Sequence, residues 1–113
     1  MHEVGLMQQA LELALDSARN QGASRIHCLT MRIGPLAGVV PDALRFAFDI
    51  VTQGTQAEGA MLEVREVPIL CWCAGCSLEF SPPDFVCVCP VCGLLTSDVR
   101  QGKELDVVSL EVS

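Results

Sequence analysis

Two Cys-x2-Cys pairs constrain this chain more than any other feature of its sequence. Cys73 and Cys76 form the first pair, Cys89 and Cys92 form the second, and twelve residues separate the pairs. Each pair can form a tight turn that directs two thiolates and several backbone N–H groups towards one ion. Four sulfurs complete the tetrahedral shell that a structural Zn2+ prefers. We therefore expect a structural zinc site, with a disulfide pair or a one-iron site as the alternatives.

Composition and charge bear on the compartment and the partners to expect. The sequence shows no signal-peptide pattern at its start and no apolar stretch of membrane-spanning length, so we expect a cytoplasmic chain without membrane contact. In a reducing compartment, seven cysteines indicate metal binding before disulfides. The formal charge is −7, and the seven Lys and Arg residues are scattered along the chain. This charge argues against nucleic acid as a partner.

Periodic apolar residues predict an α+β fold. Apolar residues at helical spacing predict one helix over about 4–19 and a second over about 41–53. Alternating apolar residues predict strands over about 25–33, 60–67 and 104–112. Two helices can cover one face of a small three-stranded sheet made from these strands.

The cysteine pairs lie between the second and third predicted strands. We therefore expect residues 1–68 plus 104–113 to form the α+β domain, and residues 69–103 to form an inserted zinc-binding module that resembles a zinc ribbon. Inside the module, segments 78–80 and 84–86 flank two prolines and are expected to form β-arms.

The first strand is expected to have one buried face and one mixed face. Leu29, Met31 and Ile33 alternate on the first face and should be buried. The opposite face, which includes Ile26 and Thr30, should be partly exposed, as in a sheet covered on one side.

Three cysteines lie outside the two pairs. Cys71 and Cys87 each precede a pair by two residues, so the pattern Cys-x-Cys-x2-Cys occurs twice. One zinc ion needs only four sulfurs, so these two residues are half-buried thiols near the site, alternative ligands or a redox-sensitive pair. Cys28, on the first predicted strand, is expected to be a small core residue.

The first residues of the chain offer a second donor set. His2 directly follows Met1, so the terminal amine, the His2 backbone nitrogen and the imidazole can chelate one ion through fused rings. Such nitrogen donors favour Ni2+ or Cu2+ in square-planar geometry, and Glu3 can add a further donor. A histidine at this position is also commonly a solvated residue, so spacing alone leaves both interpretations open.

Taken together, these features resemble the hydrogenase nickel-incorporation proteins, the HypA/HybF family of nickel metallochaperones. The resemblance covers essentially the whole chain, and its most specific part is the combination of the first three residues with the paired Cys-x2-Cys motifs. The matching segments are Met1-His2-Glu3, Ala10-Leu11-Glu12-Leu13, Arg32-Ile33-Gly34, Phe48-Asp49, Ala57-Glu58-Gly59, Cys71-Trp72-Cys73-Ala74-Gly75-Cys76 and Cys89-Pro90-Val91-Cys92.

The resemblance implies two metal sites and a delivery role. It implies that the α+β domain binds Ni2+, the cargo, through the Met1 amine, His2 and Glu3. It implies a partner GTPase and, as recipient, the large-subunit precursor of [NiFe]-hydrogenase; some members also serve urease. The oligomeric state is left open, a homodimer included. The structural Zn2+ ligands that it implies are Cys73, Cys76, Cys89 and Cys92.

The sequence also departs from some relatives. Some carry an acidic residue near the nickel site where this chain has Val40, and Asp42 is the nearest substitute. Some place histidines beside the zinc cysteines, whereas no histidine lies between Cys71 and Cys92 here. Any coupling of the zinc site to pH or nickel must therefore use cysteines, and Cys87 is the spare one.

Other classes of function remain as alternatives. A zinc-ribbon protein-interaction adaptor without nickel delivery would use the same cysteines, and so would a one-iron electron carrier. An enzyme is not expected, because no catalytic constellation lies outside the cysteines and metal-saturated thiolates are poor nucleophiles.

Overall fold

Two helices and six strands make up the fold. The computed structural model describes residues 3–113, so Met1 and His2 lie outside the described residues. The elements in chain order are α1 (Glu3–Asn20), β1 (Ile26–Ile33), a 3-10 turn (Pro35–Ala37), α2 (Pro41–Val51), β2 (Met61–Glu66), β3 (Leu70–Cys73), β4 (Leu78–Phe80), β5 (Val99–Gln101) and β6 (Leu105–Val112). The predicted α+β class is confirmed.

The chain divides into two compact units. One consists of Ile33–Ala37 and Glu66–Leu105, and the other holds the remaining described residues. The first of these is called the cysteine unit below, because six of the seven cysteines belong to it. Residues 33–37, which include the 3-10 turn, also belong to this unit, although the predicted zinc-binding module begins at residue 69.

Helix α1 buries one stripe and ends in a glycine cap. Its buried residues recur every three or four positions, which places them on one face. At the end of the helix, the N–H of Ala23 donates to the Ala18 carbonyl at 2.9 Å, and the N–H of Gly22 donates to the Arg19 carbonyl at 3.0 Å. Gly22 has a φ of 74°, as this type of C-cap requires. The buried residues of α1 are Met7, Leu11, Ala14 and Ala18.

Helix α2 begins at Pro41, whose fixed φ suits the first helical turn. Leu44, Ala47 and Phe48 form its buried stripe, and the helix packs against α1. Burial of Leu44 and Phe48 stabilises this unit by roughly 1.5–3 kcal/mol for each side chain. Packing between the helices, and not helix propensity alone, therefore holds α2 in place.

The predicted three-stranded sheet is present, in the order β2-β1-β6. Leu29, Met31 and Ile33 are buried as predicted. The opposite face is partly exposed, as expected: Ile26 and Thr30 are buried, Cys28 is half-buried and Arg32 is exposed. β1 is the central strand of this sheet, with β2 and β6 at its two edges.

A second three-stranded sheet, in the order β4-β3-β5, forms the cysteine unit. The predicted arm at 78–80 is strand β4. The predicted arm at 84–86 was wrong, because these residues form a bend and the Val86 N–H donates to the Asp84 side chain at 2.9 Å. Local side-chain hydrogen bonding of this kind competes with strand pairing.

Cysteines make up most of the small core of this unit. A core of six residues cannot bury enough apolar surface to hold a unit of this size without a further constraint. The metal site described below and a disulfide are the constraints available to it. The core residues are Ile69, Cys71, Cys73, Phe80, Cys87 and Cys89.

Two glycines allow the backbone segments of the cysteine unit to approach closely. The N–H of Leu36 donates to the Gly102 carbonyl at 2.8 Å, and the N–H of Gly34 donates to the Glu104 carbonyl at 2.8 Å. A Cβ atom added at Gly34 would overlap the backbone of Gly102. A side chain at residue 34 would therefore force these segments apart.

We predict that Gly34→Ala destabilises the protein by about 1–3 kcal/mol, since the added methyl group overlaps backbone that cannot rotate away. Urea unfolding measures this change. Gly5→Ala is the matched control: space is open around this position of α1, so the substitution should be neutral or stabilise by up to about 1 kcal/mol. Equal stability of wild type and Gly34→Ala would contradict the packing described.

Candidate metal centre

The first Cys-x2-Cys pair lies at the turn of a β-hairpin. Cys73 is the last residue of β3 and pairs with Leu78 at the start of β4. The chain between them turns through Cys76, and Ser77 closes the turn with a φ of 48°. Among described non-glycine residues Ser77 is the one with positive φ. The hairpin thus presents both sulfurs of the pair at its tip.

The second pair lies in a similar turn. The N–H of Cys89 donates to the Leu94 carbonyl at 2.9 Å, and the N–H of Gly93 donates to the Cys89 carbonyl at 2.9 Å. Gly93 has a φ of 74°, and Val88 pairs with Leu95 in an antiparallel bridge. Two hairpin turns therefore supply the four sulfurs, as the spacing predicts.

The four sulfurs converge. The ligand atoms of Cys73, Cys76, Cys89 and Cys92 all lie within 4.8 Å of one another. The sulfurs of Cys73 and Cys92 are 3.7 Å apart. A tetrahedral site with Zn–S bonds of about 2.3 Å has sulfurs about 3.8 Å apart. The donor set and its spacing therefore fit a four-coordinate zinc ion.

In the metal-free site, the pKa values of Cys89 and Cys76 are shifted in opposite directions. The backbone N–H of Cys92 donates to the Cys89 sulfur and lowers the pKa of Cys89 to about 7. Hydrogen bonding with the Cys92 sulfur, together with desolvation, raises the pKa of Cys76 to about 12. Cys89 is thus ready to bind a cation near neutral pH, whereas Cys76 must give up a proton to do so.

Cys71 and Cys87 are joined by a disulfide, with their Cα atoms 6.1 Å apart. Both are buried, so the expectation of half-buried thiols was wrong. The expectation of metal before disulfides is wrong for this pair, although the pattern Cys-x-Cys-x2-Cys, which occurs twice, indicates a second pair of sulfurs. Cys28 is a free, half-buried thiol on β1 and does not belong to the buried core.

A hydrogen-bonded frame around Trp72 supports the first hairpin. The Trp72 N–H donates to the Asp98 carbonyl at 2.9 Å, and the Thr96 hydroxyl donates to the Trp72 carbonyl at 2.8 Å. The Arg100 guanidinium lies 5.0 Å from the centre of the Trp72 ring and donates to the Asp98 carboxylate. The sequence analysis missed this frame, because no local spacing links residue 72 to residues 96–100.

Of the expected nickel ligands, the structure describes Glu3. This residue opens α1, where a negative side chain is favoured by the helix dipole. Glu3 is half-buried and lines a groove of about 250 Å³ with Val4 and Ala43. The other expected ligands, Met1 and His2, lie outside the described residues. Asp42 is exposed and pairs with Arg45 at 3.1 Å.

Comparison with known proteins gives the family. Residues 1–112 match the family model described as hydrogenase/urease nickel incorporation, metallochaperone, hypA. The chain belongs to the HypA family. It is 47% identical over 112 residues to the hydrogenase maturation factor HypA of a Picosynechococcus species, with 99% of each chain covered. It is 43% identical to the HypA of Acidithiobacillus ferrooxidans, again with 99% of each chain covered.

Solved HypA structures share the fold. The solution structure of the nickel metallochaperone HypA from Helicobacter pylori aligns with a TM-score of 0.67 at 23% identity, covering 99% of this chain and 97% of that one. A second HypA solution structure aligns with a TM-score of 0.71 at 24% identity. Neither α1 nor α2 is long and apolar enough to cross a membrane.

We predict that zinc binding releases nearly one more proton at about pH 6 than at about pH 8. Above its pKa of about 7, Cys89 has already lost its proton, and below that value it must release one when zinc binds. Zinc affinity should therefore fall more steeply with decreasing pH below about 7. Calorimetry in buffers of different ionisation enthalpy measures the protons released. Equal release at both pH values would contradict this assignment.

Proposed function

We propose that this chain is a cytoplasmic nickel metallochaperone that binds Ni2+ through the Met1 amine, His2 and Glu3. It delivers the ion to the [NiFe]-hydrogenase large-subunit precursor together with a nickel-handling GTPase. The match of residues 1–112 to the nickel-incorporation family carries this proposal. The position of Glu3 in the first turn of α1 supports it, since the half-buried carboxylate is held close to the start of the chain.

A delivery protein must bind its cargo selectively and then release it. Amine, imidazole and backbone nitrogens favour Ni2+ through its square-planar preference. A site made from three consecutive residues leaves room for a competing ligand shell. His2 must be neutral to bind, so nickel affinity should fall as pH decreases through the histidine range.

For the four-cysteine cluster we propose a structural role with Zn2+ as the resident ion. The sulfur spacing supports this, because it matches a closed tetrahedral shell. A closed shell has no open position for a substrate, so the cluster supplies folding energy and not chemistry. We propose accordingly that the chain is not an enzyme.

One observation favours a second candidate, an adaptor that binds proteins through the zinc module without delivering nickel. The cysteine unit exposes large apolar side chains near the second Cys-x2-Cys pair. Val91, Leu94 and Leu95 are each at least 65% exposed. Exposed apolar side chains grouped in this way are typical of surfaces that bind other proteins.

The test is a Ni2+ titration by calorimetry on two zinc-loaded forms of the chain. One form begins with Met1, and the other carries two additional residues before Met1, which convert the terminal amine into an amide. We expect the extension to lower nickel affinity at least about tenfold, equivalent to ~1.4 kcal/mol. Equal affinity in both forms would contradict a site at the Met1 amine. Absence of nickel binding in both would favour the adaptor.

Two histidine variants provide a matched pair for the same titration. His2→Ala should abolish tight nickel binding and leave the fold intact. His27→Ala should retain it, because His27 lies on β1, where its ring hydrogen-bonds with the Ser113 hydroxyl at 2.7 Å.

Cys73→Ala should instead lose zinc, and an unchanged zinc content would remove Cys73 from the ligand set.

A further inference from the structure

The Cys71–Cys87 disulfide is formed by the two cysteines that each precede a ligand pair by two residues. Cys71 precedes Cys73 by two residues on β3, and the side chains of residues i and i+2 point to the same face of a strand. Cys87 precedes Cys89 by two residues with the same alternation of burial, since Val88 between them is exposed. The disulfide therefore joins the two segments that carry the two ligand pairs.

The two sulfurs of this pair differ in access. Cys71 is 0% exposed and lies on the central strand of its sheet. Cys87 is 5% exposed and lines an open groove with a volume of about 470 Å³. Phe85, Val86 and Leu95 form apolar walls of this groove. A small thiol or disulfide that enters this groove therefore meets Cys87, whereas Cys71 does not line it.

We propose that Cys71 and Cys87 are a redox-active pair that changes between dithiol and disulfide while the four-cysteine cluster keeps its metal. The exchange partner is a low-molecular-weight thiol–disulfide couple, and Cys87 is the residue that reacts with it. In the cytoplasm, where the chain is proposed to act, disulfides are rare and those present are mostly redox-sensing or catalytic. A pair with one member lining a groove and the other fully buried has the geometry for such sensing.

Oxidation proceeds in two exchange steps. The Cys87 sulfur attacks one sulfur of the external disulfide, forms a mixed disulfide and releases one external thiolate. The Cys71 sulfur then attacks the Cys87 sulfur, forms the Cys71–Cys87 bond and releases the second external thiolate. The two thiols of the protein lose two electrons and two protons, which convert one external disulfide into two thiols. Reduction is the reverse.

The redox state should also change how firmly the metal is held. The disulfide has a sequence separation of 16 and joins the segments that carry the two ligand pairs. A cross-link of this length restricts how far the two turns can separate when the metal leaves. The oxidised form should therefore lose zinc to a chelator more slowly than the reduced form, by about tenfold.

The test uses the zinc-loaded full chain, reduced first and then treated with oxidised glutathione, with native intact-mass spectrometry as the readout. Wild type should lose two hydrogen masses and keep one zinc ion. Cys71→Ser should trap one glutathionyl group on Cys87, because the second step is blocked. Cys87→Ser should trap none at residue 71, because the Cys71 sulfur is buried.

Cys28→Ser is the matched control, since Cys28 is a half-buried free thiol on β1, and this variant should still form the disulfide as wild type does. Each variant must hold one zinc ion before treatment. If wild type holds no zinc, this result counts against the proposed structural role of zinc and not against the redox pair. Loss of zinc during oxidation, an unchanged mass of wild type, or an adduct on Cys87→Ser at residue 71 would overturn the proposal. Equal rates of zinc loss from oxidised and reduced wild type would overturn its effect on the metal.

Discussion

The convergence of four cysteine sulfurs is the constraint on which the cysteine unit depends. The unit has a core of six buried residues, and four of these are cysteines. Such a core is too small to hold short strands by apolar burial alone. The proposed metal ion, bound by Cys73 and Cys76 from one turn and by Cys89 and Cys92 from the other, would join the two hairpins at a single point. The backbone approach at Gly34 and Gly102 then packs the 3-10 turn against the same unit.

The other unit is held by a different kind of interaction. Helices α1 and α2 bury aliphatic and aromatic side chains against each other, and β1 lies at the centre of its sheet. This frame needs no metal, so its first helix can present Glu3 next to a groove without any metal cross-link. The two proposed metal sites differ in the same way: sulfur donors hold the resident Zn2+, and nitrogen donors at the start of the chain hold the Ni2+ cargo.

The sequence predicted the local features of this fold well. The spacing of the Cys-x2-Cys pairs predicted the four sulfurs that converge, because a turn of four residues fixes where its two side chains point. Helical periodicity located α1 and α2.

Features that depend on pairing between distant segments were harder to predict. Thr30 is buried, and no property of residue 30 itself indicates this. The bend at 84–86 follows from one Asp84 hydrogen bond that outweighs strand-like composition. The pairing of Cys71 with Cys87 depends on contact between segments 16 residues apart, which the spacing of either cysteine within its own motif does not fix.

The central claim is that two metals occupy two chemically distinct donor sets. X-ray absorption at the zinc and nickel edges, on one sample loaded with both ions, tests it most directly. The account predicts a zinc shell of four sulfurs at about 2.3 Å and a nickel shell of nitrogen and oxygen without sulfur. Sulfur in the nickel shell, or nitrogen in the zinc shell, would contradict it.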